Sequence, residues 1–245
     1  MLSDFQKRLG RNPLSLAWVF LLPMVQVIIL VSIKAALNFS SDENISNVLF
    51  LISGIVPYFL FHSGFAKMTP VFNVHKRLRV FQPVQSIHIF TARALIEAII
   101  NIMVFTILLL LASQLGHPFL IEDFGQTVLA YTLIYLTGLG LGLFFAPLAG
   151  RFHFMDLVVQ TISRVIFFTS GFIFPIRVLS EPYLTWLSYN PLVHYASIMR
   201  DGLFTAYEAD PMFTNLPYAM GCTLWLVFIG LVFMKRFEGW AYEKP

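Results

Sequence analysis

Reactive and metal-binding side chains are scarce in this sequence. It contains one cysteine, Cys222, which excludes an intrachain disulfide and any metal site built from several cysteines. It also lacks the HExxH sequence of zinc proteases, the G-x-S-x-G sequence of serine hydrolases and a glycine-rich phosphate-binding loop. We therefore expect no catalytic residue, no bound metal and no cofactor on this chain, which cannot hydrolyse ATP by itself.

Charge is scarce as well. Charged residues make up 12% of the 245 residues, hydrophobic residues make up 58%, and the mean hydropathy is +0.75. A soluble core could not bury so much apolar surface, so lipid must be the solvent for much of the chain. The aromatic share of 16%, with 26 Phe, suits ring-rich spans and the aromatic belts at their ends. The expected fold class is an all-α integral membrane protein.

Apolar runs with few or no charges recur along the chain, each close to the roughly 20 residues that a helix needs to cross the hydrocarbon. We predict a single transmembrane domain over residues 1–245 with six spans, at 14–33, 47–66, 89–112, 125–147, 157–175 and 212–234. Residues 1–13 are basic and carry apolar residues at helical spacing. They predict an amphipathic helix on the inner leaflet, with a frayed terminus as the alternative.

Lys and Arg are distributed unevenly between the two sides that six spans define. Eleven of the 16 Lys and Arg residues fall in the segments on the side of the termini, and three fall on the other side. The positive-inside rule therefore predicts that both termini are cytoplasmic. Because the basic residues divide by membrane side and form no continuous stripe, the net charge of +3 does not indicate a nucleic-acid partner.

Two connections between the predicted spans have helical patterns of their own. Residues 73–86, on the inner side, interleave Lys76, Arg77 and Arg79 with apolar residues, which predicts a short amphipathic helix at the cytoplasmic surface. On the outer side, Ser180 precedes Glu181-Pro182 and Asn190 precedes Pro191, and each pair predicts a capped helix start. We interpret residues 179–204 as a helical hairpin that dips into the outer face, with an amphipathic surface excursion as the alternative.

Small residues and charges inside the spans mark further positions. Gly138, Gly140 and Gly142 predict a face on which helices pack closely. Arg93 and Glu97 lie one helical turn apart in the third span, where they either pair with each other or serve a cytoplasmic entrance. The residues expected to meet anionic lipid headgroups are all arginines near the inner surface: Arg8, Arg11 and Arg164.

The order of these segments resembles the membrane subunits of type-2 (ABC-2) ABC exporters, and specifically the capsular polysaccharide export permeases. Five stretches carry the resemblance, which covers nearly the whole chain: residues 12–23, 51–61, 81–98, 138–152 and 190–202. The last of these, NPLVHYASIMRDG, is the most specific. The sequence departs from the family pattern at Leu22, before Pro23, and at Gln82, before Pro83.

The resemblance implies a homodimer around a channel, joined to two copies of a separate ATPase subunit that binds ATP and Mg. The cargo would be a lipid-linked acidic polysaccharide, passed from the inner membrane of a Gram-negative bacterium towards periplasmic and outer-membrane components. Residues 73–86 would be the coupling helix that docks on the ATPase, and residues 179–204 the re-entrant helices. The residues expected to contact the ATPase are Val74, His75, Lys76, Arg77, Leu78, Arg79, Phe81 and Gln82.

Aromatic and charged residues of the spans and the hairpin are the candidates for contact with the substrate or channel, because rings stack on the C–H-rich faces of sugars. They are Trp18, Tyr58, Phe59, Phe61, Arg93, Glu97, Trp186, Tyr195 and Arg200. Core packing or contact with lipid is the alternative for the rings. Alternative functions are export of O-antigen, teichoic acid or another lipid-linked glycan, a membrane enzyme acting on lipid-linked sugars, and a structural subunit without a pore.

Overall fold

The computed structural model describes residues 21, 24–33, 45–70, 86–152, 154–176 and 179–242. Every regular element in these ranges is helical, which confirms the all-α prediction for the described part of the chain. The α-helices are α1 (Met24–Ile33), α2 (Asn47–Phe65), α3 (Ser86–Gln114), α4 (Phe124–Arg151), α5 (Met155–Thr169), α6 (Tyr183–Leu187), α7 (Pro191–Leu203) and α8 (Leu216–Phe237). Short 3-10 helices cover Pro211–Phe213 and Trp240–Tyr242.

Four helices in the described ranges are long and apolar enough to cross a membrane. They are α2, α3, α4 and α8 with the 3-10 turn before it, and they lie at the second, third, fourth and sixth predicted spans. At the first predicted span, α1 covers the second half. At the fifth, α5 has 15 residues and is followed by turns and bends over residues 170–175. The chain is thus a membrane protein with several spans, and the number six stays a prediction.

Helix α4 lies at the centre of the described bundle and packs against α2, α7 and α8. The contact between α4 and α8 uses a narrow stripe of α8, whose buried residues are Ala219, Thr223, Gly230 and Met234. The hydroxyls of Thr137 and Thr223 lie 2.7 Å apart, and the hydroxyl of Tyr195 lies 2.8 Å from that of Thr223. These contacts join α4, α8 and α7 through buried hydrogen bonds, which is how polar side chains are accommodated among apolar helices.

The glycines of α4 allow its backbone to approach two neighbours. A Cβ on Gly138 would collide with the carbonyl oxygen of Phe61 in α2, and a Cβ on Gly142 with that of Gly64. A Cβ on Gly140 would lie 2.9 Å from the backbone nitrogen of Val227 in α8. The predicted close-packing face is confirmed, but the glycines serve two faces, since residues two apart point to different sides of a helix.

Polar caps and basic residues distinguish the two ends of the bundle. Ser46, Asp123 and Asn215 cap the starts of α2, α4 and α8, and we call this end the capped end. These side chains satisfy the first backbone N–H groups of each helix, for which the helix itself has no acceptor. The opposite end, which contains Lys67, Arg151 and Lys235, is called the basic end.

Candidate functional site

Helix α7 is inserted into the bundle at the capped end. Asn190 Oδ1 accepts a hydrogen bond from the N–H of Leu192 at 3.0 Å, and Pro191 occupies the first helical turn, so the predicted helix start is confirmed. Eleven of the 13 residues of α7 are buried, with α2, α4 and α8 around it. This burial favours insertion over a helix lying on the surface.

Helix α6, which precedes α7, starts differently from the prediction. Ser180 was expected to cap it, with Pro182 inside the first turn; instead Pro182 holds the position before the helix, and α6 runs for five residues. Ser180 contributes its backbone carbonyl, which accepts the N–H of Tyr183 at 3.0 Å. The Thr185 hydroxyl donates to the Glu181 carboxylate at 2.8 Å. This side-chain contact joins α6 to the residue before its N-cap, but no side chain caps the backbone N–H groups at the start of α6, so the predicted cap is wrong.

Arg200 of α7 is the most buried large polar side chain in the described residues, at 1% exposure. Its Nη1 and Nη2 groups donate to the carbonyl oxygens of Gly171 and Phe172 at 2.9 and 3.1 Å, and Nε donates to the Ser53 hydroxyl at 3.2 Å. The guanidinium carbon lies 3.9 Å from the centre of the Phe50 ring. The rigid fork of donors on arginine suits this arrangement of fixed acceptors.

The acceptors belong to the bend that follows α5. Gly171 has φ of +65°, a conformation that favours glycine, and it redirects the chain just after the last turn of α5. The buried carbonyls of the bend lie beyond the end of α5 and must be satisfied by partners from elsewhere in the chain. Arg200 satisfies two of them from α7, so the bend is fixed by a residue 29 positions further along the chain.

A second residue of the hairpin reaches the same helix end. Asn190 Nδ2 donates to the carbonyl of Thr169 at 3.2 Å and to the hydroxyl of Ser170 at 2.9 Å. Opposite Arg200, Gly54 of α2 leaves room for the bend, because a Cβ there would collide with the Phe172 carbonyl and lie 2.8 Å from Arg200 Nη2. We call Asn190, Arg200, Ser53 and Gly54 the hairpin clamp.

His194 ties the hairpin to the last long helix. Its Nε2 lies 2.8 Å from the carbonyl oxygen of Ser188, after α6, and its Nδ1 accepts the N–H of Asn215 at 3.3 Å. The Tyr218 hydroxyl donates to the carbonyl of Tyr189 at 2.9 Å. The imidazole therefore acts as a hydrogen-bonding bridge between the end of α6 and the start of α8.

The predicted substrate residues do not meet at one surface of the described chain. Phe61 and Tyr195 are fully buried, Tyr58 is buried against the Phe167 ring at 4.1 Å, and Phe59 is half-buried. Trp186, in contrast, is 74% exposed on α6. Arg200 faces the backbone inside the clamp. The described structure thus brings Arg200 and Tyr195 together on α7 and leaves Trp186 apart.

At the basic end, Glu97 of α3 is paired with a residue that the sequence analysis did not select. Lys67 Nζ, just after α2, lies 2.9 Å from Glu97 Oε2, and the carboxylate side chain is nearly buried. Asn101 Nδ2 donates to the Glu97 carbonyl at 2.8 Å. A buried carboxylate in a span needs a cation, and Lys67, 30 residues earlier in the chain, supplies one. Arg93 is half-buried on the same helix.

A polar cluster between α2 and α5 was also missed. His62 Nδ1 lies 2.8 Å from the Ser163 hydroxyl, and the Tyr58 hydroxyl donates to the Ser163 carbonyl at 3.3 Å. Tyr58 and His62 are one turn apart on an apolar helix, which was a usable signal. Arg164, predicted to meet lipid headgroups, is exposed on α5 beside this cluster.

The remaining predicted residues lie outside the described residues. They are the lipid-facing Arg8 and Arg11, the channel residue Trp18 and the ATPase-contacting Val74, His75, Lys76, Arg77, Leu78, Arg79, Phe81 and Gln82. The predicted interfacial helix at 1–13 and the predicted coupling helix at 73–86, up to residue 85, lie outside them too.

Most of the described polar residues named above hydrogen-bond to one another or to the backbone. No group of three or more His, Cys, Asp or Glu side chains within the described ranges is placed to hold a metal ion. A hollow of about 470 Å³ at the capped end is lined by Asp123, Gln126 and Asp201 among others. There the carboxylate of Asp201 accepts hydrogen bonds from Gln126 Nε2 and the N–H of Ala209. Hydrogen bonds of this kind fix helices relative to one another.

Comparison with known proteins finds similarity to proteins named for polysaccharide transport and export. The chain is 29% identical over 237 residues to the polysialic acid transport protein KpsM of Escherichia coli, covering 97% of this chain and 91% of that protein. It is 24% identical to the capsule polysaccharide export inner-membrane protein CtrC of Neisseria meningitidis serogroup A, and 20% identical to the capsule polysaccharide export inner-membrane protein BexB of Haemophilus influenzae. Each of these two alignments covers 97% of this chain and 89% of the relative.

The family comparison covers most of the chain. The model of the ABC-2 type transporter family matches residues 2–204, which include α1 to α7. The resemblance inferred from sequence is thereby confirmed. The chain belongs to the ABC-2 type transporter family.

Proposed function

We propose that this protein is the membrane-spanning permease subunit of an ATP-driven exporter of lipid-linked capsular polysaccharide. The observation that carries the proposal is similarity along 97% of the chain to proteins named for polysialic acid transport and capsule polysaccharide export. The four span-length helices and the lack of a phosphate-binding loop in the sequence fit a subunit that conducts cargo and leaves ATP hydrolysis to another chain.

The proposed topology has six spans in the inner membrane of a Gram-negative bacterium, with the basic end and both termini in the cytoplasm. The distribution of Lys and Arg supports this orientation, because such residues are retained on the cytoplasmic side. The capped end, with the hairpin clamp, then faces the periplasm. The predicted helices at residues 179–204 become the re-entrant elements of that face.

The proposed assembly is a homodimer with two copies of an ABC ATPase. The ATPase supplies the ATP and Mg sites, and residues 73–86 form the helix that docks on it. The alternation of basic and apolar residues in this segment supports a role at a protein surface beside the membrane. Closure of the ATPase on ATP would push on this helix and shift α2 and α3, between which it lies in the chain. Periplasmic and outer-membrane components would receive the acidic polysaccharide.

The first experiment tests the cargo. A strain lacking the gene is expected to accumulate polysaccharide inside the cell and to lose it from the surface, and the intact gene is expected to restore it. Surface and intracellular polysaccharide are measured with an antibody or by sugar analysis. Normal capsule in the deletion strain, with loss of O-antigen or another glycan instead, would replace the proposed cargo with that glycan.

The second experiment tests docking. The variant R77E/R79E is expected to lose co-purification with the ATPase and stimulation of ATP hydrolysis, because two charges of the docking segment are reversed. The matched control is K235E/R236E, which makes the same charge change at the exposed end of α8. Equal co-purification of R77E/R79E and wild type would contradict docking at residues 73–86.

A further inference from the structure

The chain after the last long helix folds back onto the basic end of the bundle. Glu238 Oε1 accepts a hydrogen bond from the backbone N–H of Ser86 at 3.2 Å. Ser86 is the first residue of α3 and is fully buried. The first N–H groups of a helix have no acceptor within the helix, and a carboxylate is favoured there by the helix dipole. The side chain of Glu238 therefore joins the end of α8 to the start of α3.

Two residues further on, Trp240 attaches the same segment to α4. Its ring lies 5.7 Å from the Arg151 guanidinium, at the last residue of α4, in a cation–π contact. The rings of Phe152 and Phe237 lie 5.8 and 6.0 Å from it, edge to face. Ala241, the next residue, is fully buried. Residues 238–241 are thus a packed element, which we call the C-terminal latch.

The latch lies at one end of the connection between α2 and α3. At the other end, Lys67 and Glu97 form an ion pair at 2.9 Å, which fastens the chain after α2 to α3. The two points where this connection leaves and re-enters the described bundle are therefore both held by carboxylates from other parts of the chain. A displacement of the connection would reach α3 at both points, and through the latch it would also reach α4 and α8.

We propose that the C-terminal latch is a positioning element for coupling, in which Glu238 and Trp240 make α3, α4 and α8 move as one body when the ATPase displaces residues 73–86. The inference rests on the proposed function and adds to it. Without the latch, the ATPase would still bind residues 73–86, but the start of α3 would move without α4 and α8. ATP would then be hydrolysed with less cargo moved.

The test compares E238A with E238Q in the full chain, purified with its ATPase. Alanine removes the acceptor for the Ser86 N–H, whereas glutamine keeps an oxygen there. E238A is expected to keep the ATPase bound. With the complex reconstituted in proteoliposomes, it is expected to lower the polysaccharide moved per ATP hydrolysed about tenfold, which corresponds to about 1.4 kcal/mol of lost coupling. E238Q is expected to recover most of the ratio. K235Q, three residues earlier and exposed, is the control and is expected to behave as wild type.

A second pair of variants is available in case E238A is too unstable to be tested. The amount of each variant in the membrane and its melting temperature in detergent are measured first. If E238A does not accumulate, W240A and W240F replace it, with the ring contact to Arg151 lost in one and kept in the other. W240A is then expected to lower the same ratio, and W240F to retain it.

The outcomes separate this inference from the proposed function. If neither E238A nor W240A lowers polysaccharide per ATP, the latch has no part in coupling. If the variants lose the ATPase and the ratio together, the latch belongs to docking, and the positioning role is overturned. If R77E/R79E keeps the ATPase, the docking proposal fails whatever the latch variants show.

Discussion

Helices α5 and α7 are of similar length and meet at the bend that follows α5, yet they are buried to opposite degrees. Two of the 15 residues of α5 are buried, Val159 and Ser163, whereas 11 of the 13 residues of α7 are buried. Composition alone predicts that α5 is the more buried helix, because α7 contains His194, Arg200 and Asp201 whereas α5 has a run of apolar residues at its end. Burial in this protein follows the satisfaction of polar groups and not apolarity alone.

The reason lies in where each helix finds its partners. The polar side chains of α7 match the backbone carbonyls of the bend after α5, the Ser53 hydroxyl of α2 and the Asn215 N–H at the start of α8, so they can be enclosed. α5 contacts α2 and α4 along one narrow side, and its other side has few contacts with the described residues. In a membrane that side must meet lipid or another protein, and we propose that part of it meets the second copy.

The largest effect is expected from removing the charge at the centre of α7. R200M leaves the carbonyls of Gly171 and Phe172 without their donors, at a cost of about 1–3 kcal/mol each. Its amount in the membrane and its melting temperature in detergent are expected to fall strongly. R164M, at an exposed position of α5, is the matched control and is expected to change stability by about 0.5 kcal/mol or less. Equal losses in both variants would show that the clamp does not hold the bend.

A smaller loss is expected from filling the space beside the clamp. G54A places a Cβ against the Phe172 carbonyl, and relief of that clash by backbone movement costs about 1–3 kcal/mol. G221A is the control, because no described atom lies within 4 Å of a Cβ there, and alanine favours the helix by up to about 1 kcal/mol. The melting temperatures are expected to move in opposite directions. A melting temperature of G54A at or above that of wild type would mean that α2 and the bend do not touch.

Local sequence patterns predicted the parts of this fold that local physics determines. A bilayer requires long uncharged helices, so the apolar runs at α2, α3, α4 and α8 were recognisable. Asn190 before Pro191 identified the start of α7, since a cap and its helix are adjacent in the chain. Gly138, Gly140 and Gly142 were recognisable as packing positions for a similar reason.

The pairings of polar residues could not be predicted from the same patterns. Arg200 and Ser53 are 147 residues apart, and nothing in either neighbourhood specifies the other. Arg200 was selected as a charged residue of the predicted hairpin, but the sequence could not distinguish a contact with substrate from a contact with buried carbonyls. Lys67 and Glu97 illustrate the same point, because Arg93 was the nearer candidate for Glu97 in sequence. In both cases the partner is distant in sequence and is brought close only by the packing of the helices.

An intermediate loss of stability is expected from substitution of Asn190, which caps α7 and hydrogen-bonds to the end of α5. N190A removes the cap of α7 and the donors to Thr169 and Ser170, and the lost cap alone costs about 1 kcal/mol. N190D keeps an oxygen for the cap but lacks the donors, so it is expected to melt between N190A and wild type. If N190D melts with wild type, the contact of Asn190 with α5 contributes no stability, and Arg200 is the member of the hairpin clamp that holds the bend.

The smallest change in the stability of the single chain is expected from substitutions on the open side of α5. These substitutions distinguish a side that contacts lipid from one that contacts a second copy. Leu157 and Phe168 are 71% and 62% exposed, so L157A/F168A is expected to alter the melting temperature of the monomer little. V159A, at a position that is 1% exposed, is the control and is expected to cost about 1.5 kcal/mol for two buried methyl groups. If the second copy covers this side, cross-linking in membranes and size in mild detergent will show loss of the dimer in L157A/F168A and its retention in V159A. An intact dimer in both would assign the open side of α5 to lipid, and the contrast with α7 would then be one between a helix solvated by lipid and a helix enclosed by protein.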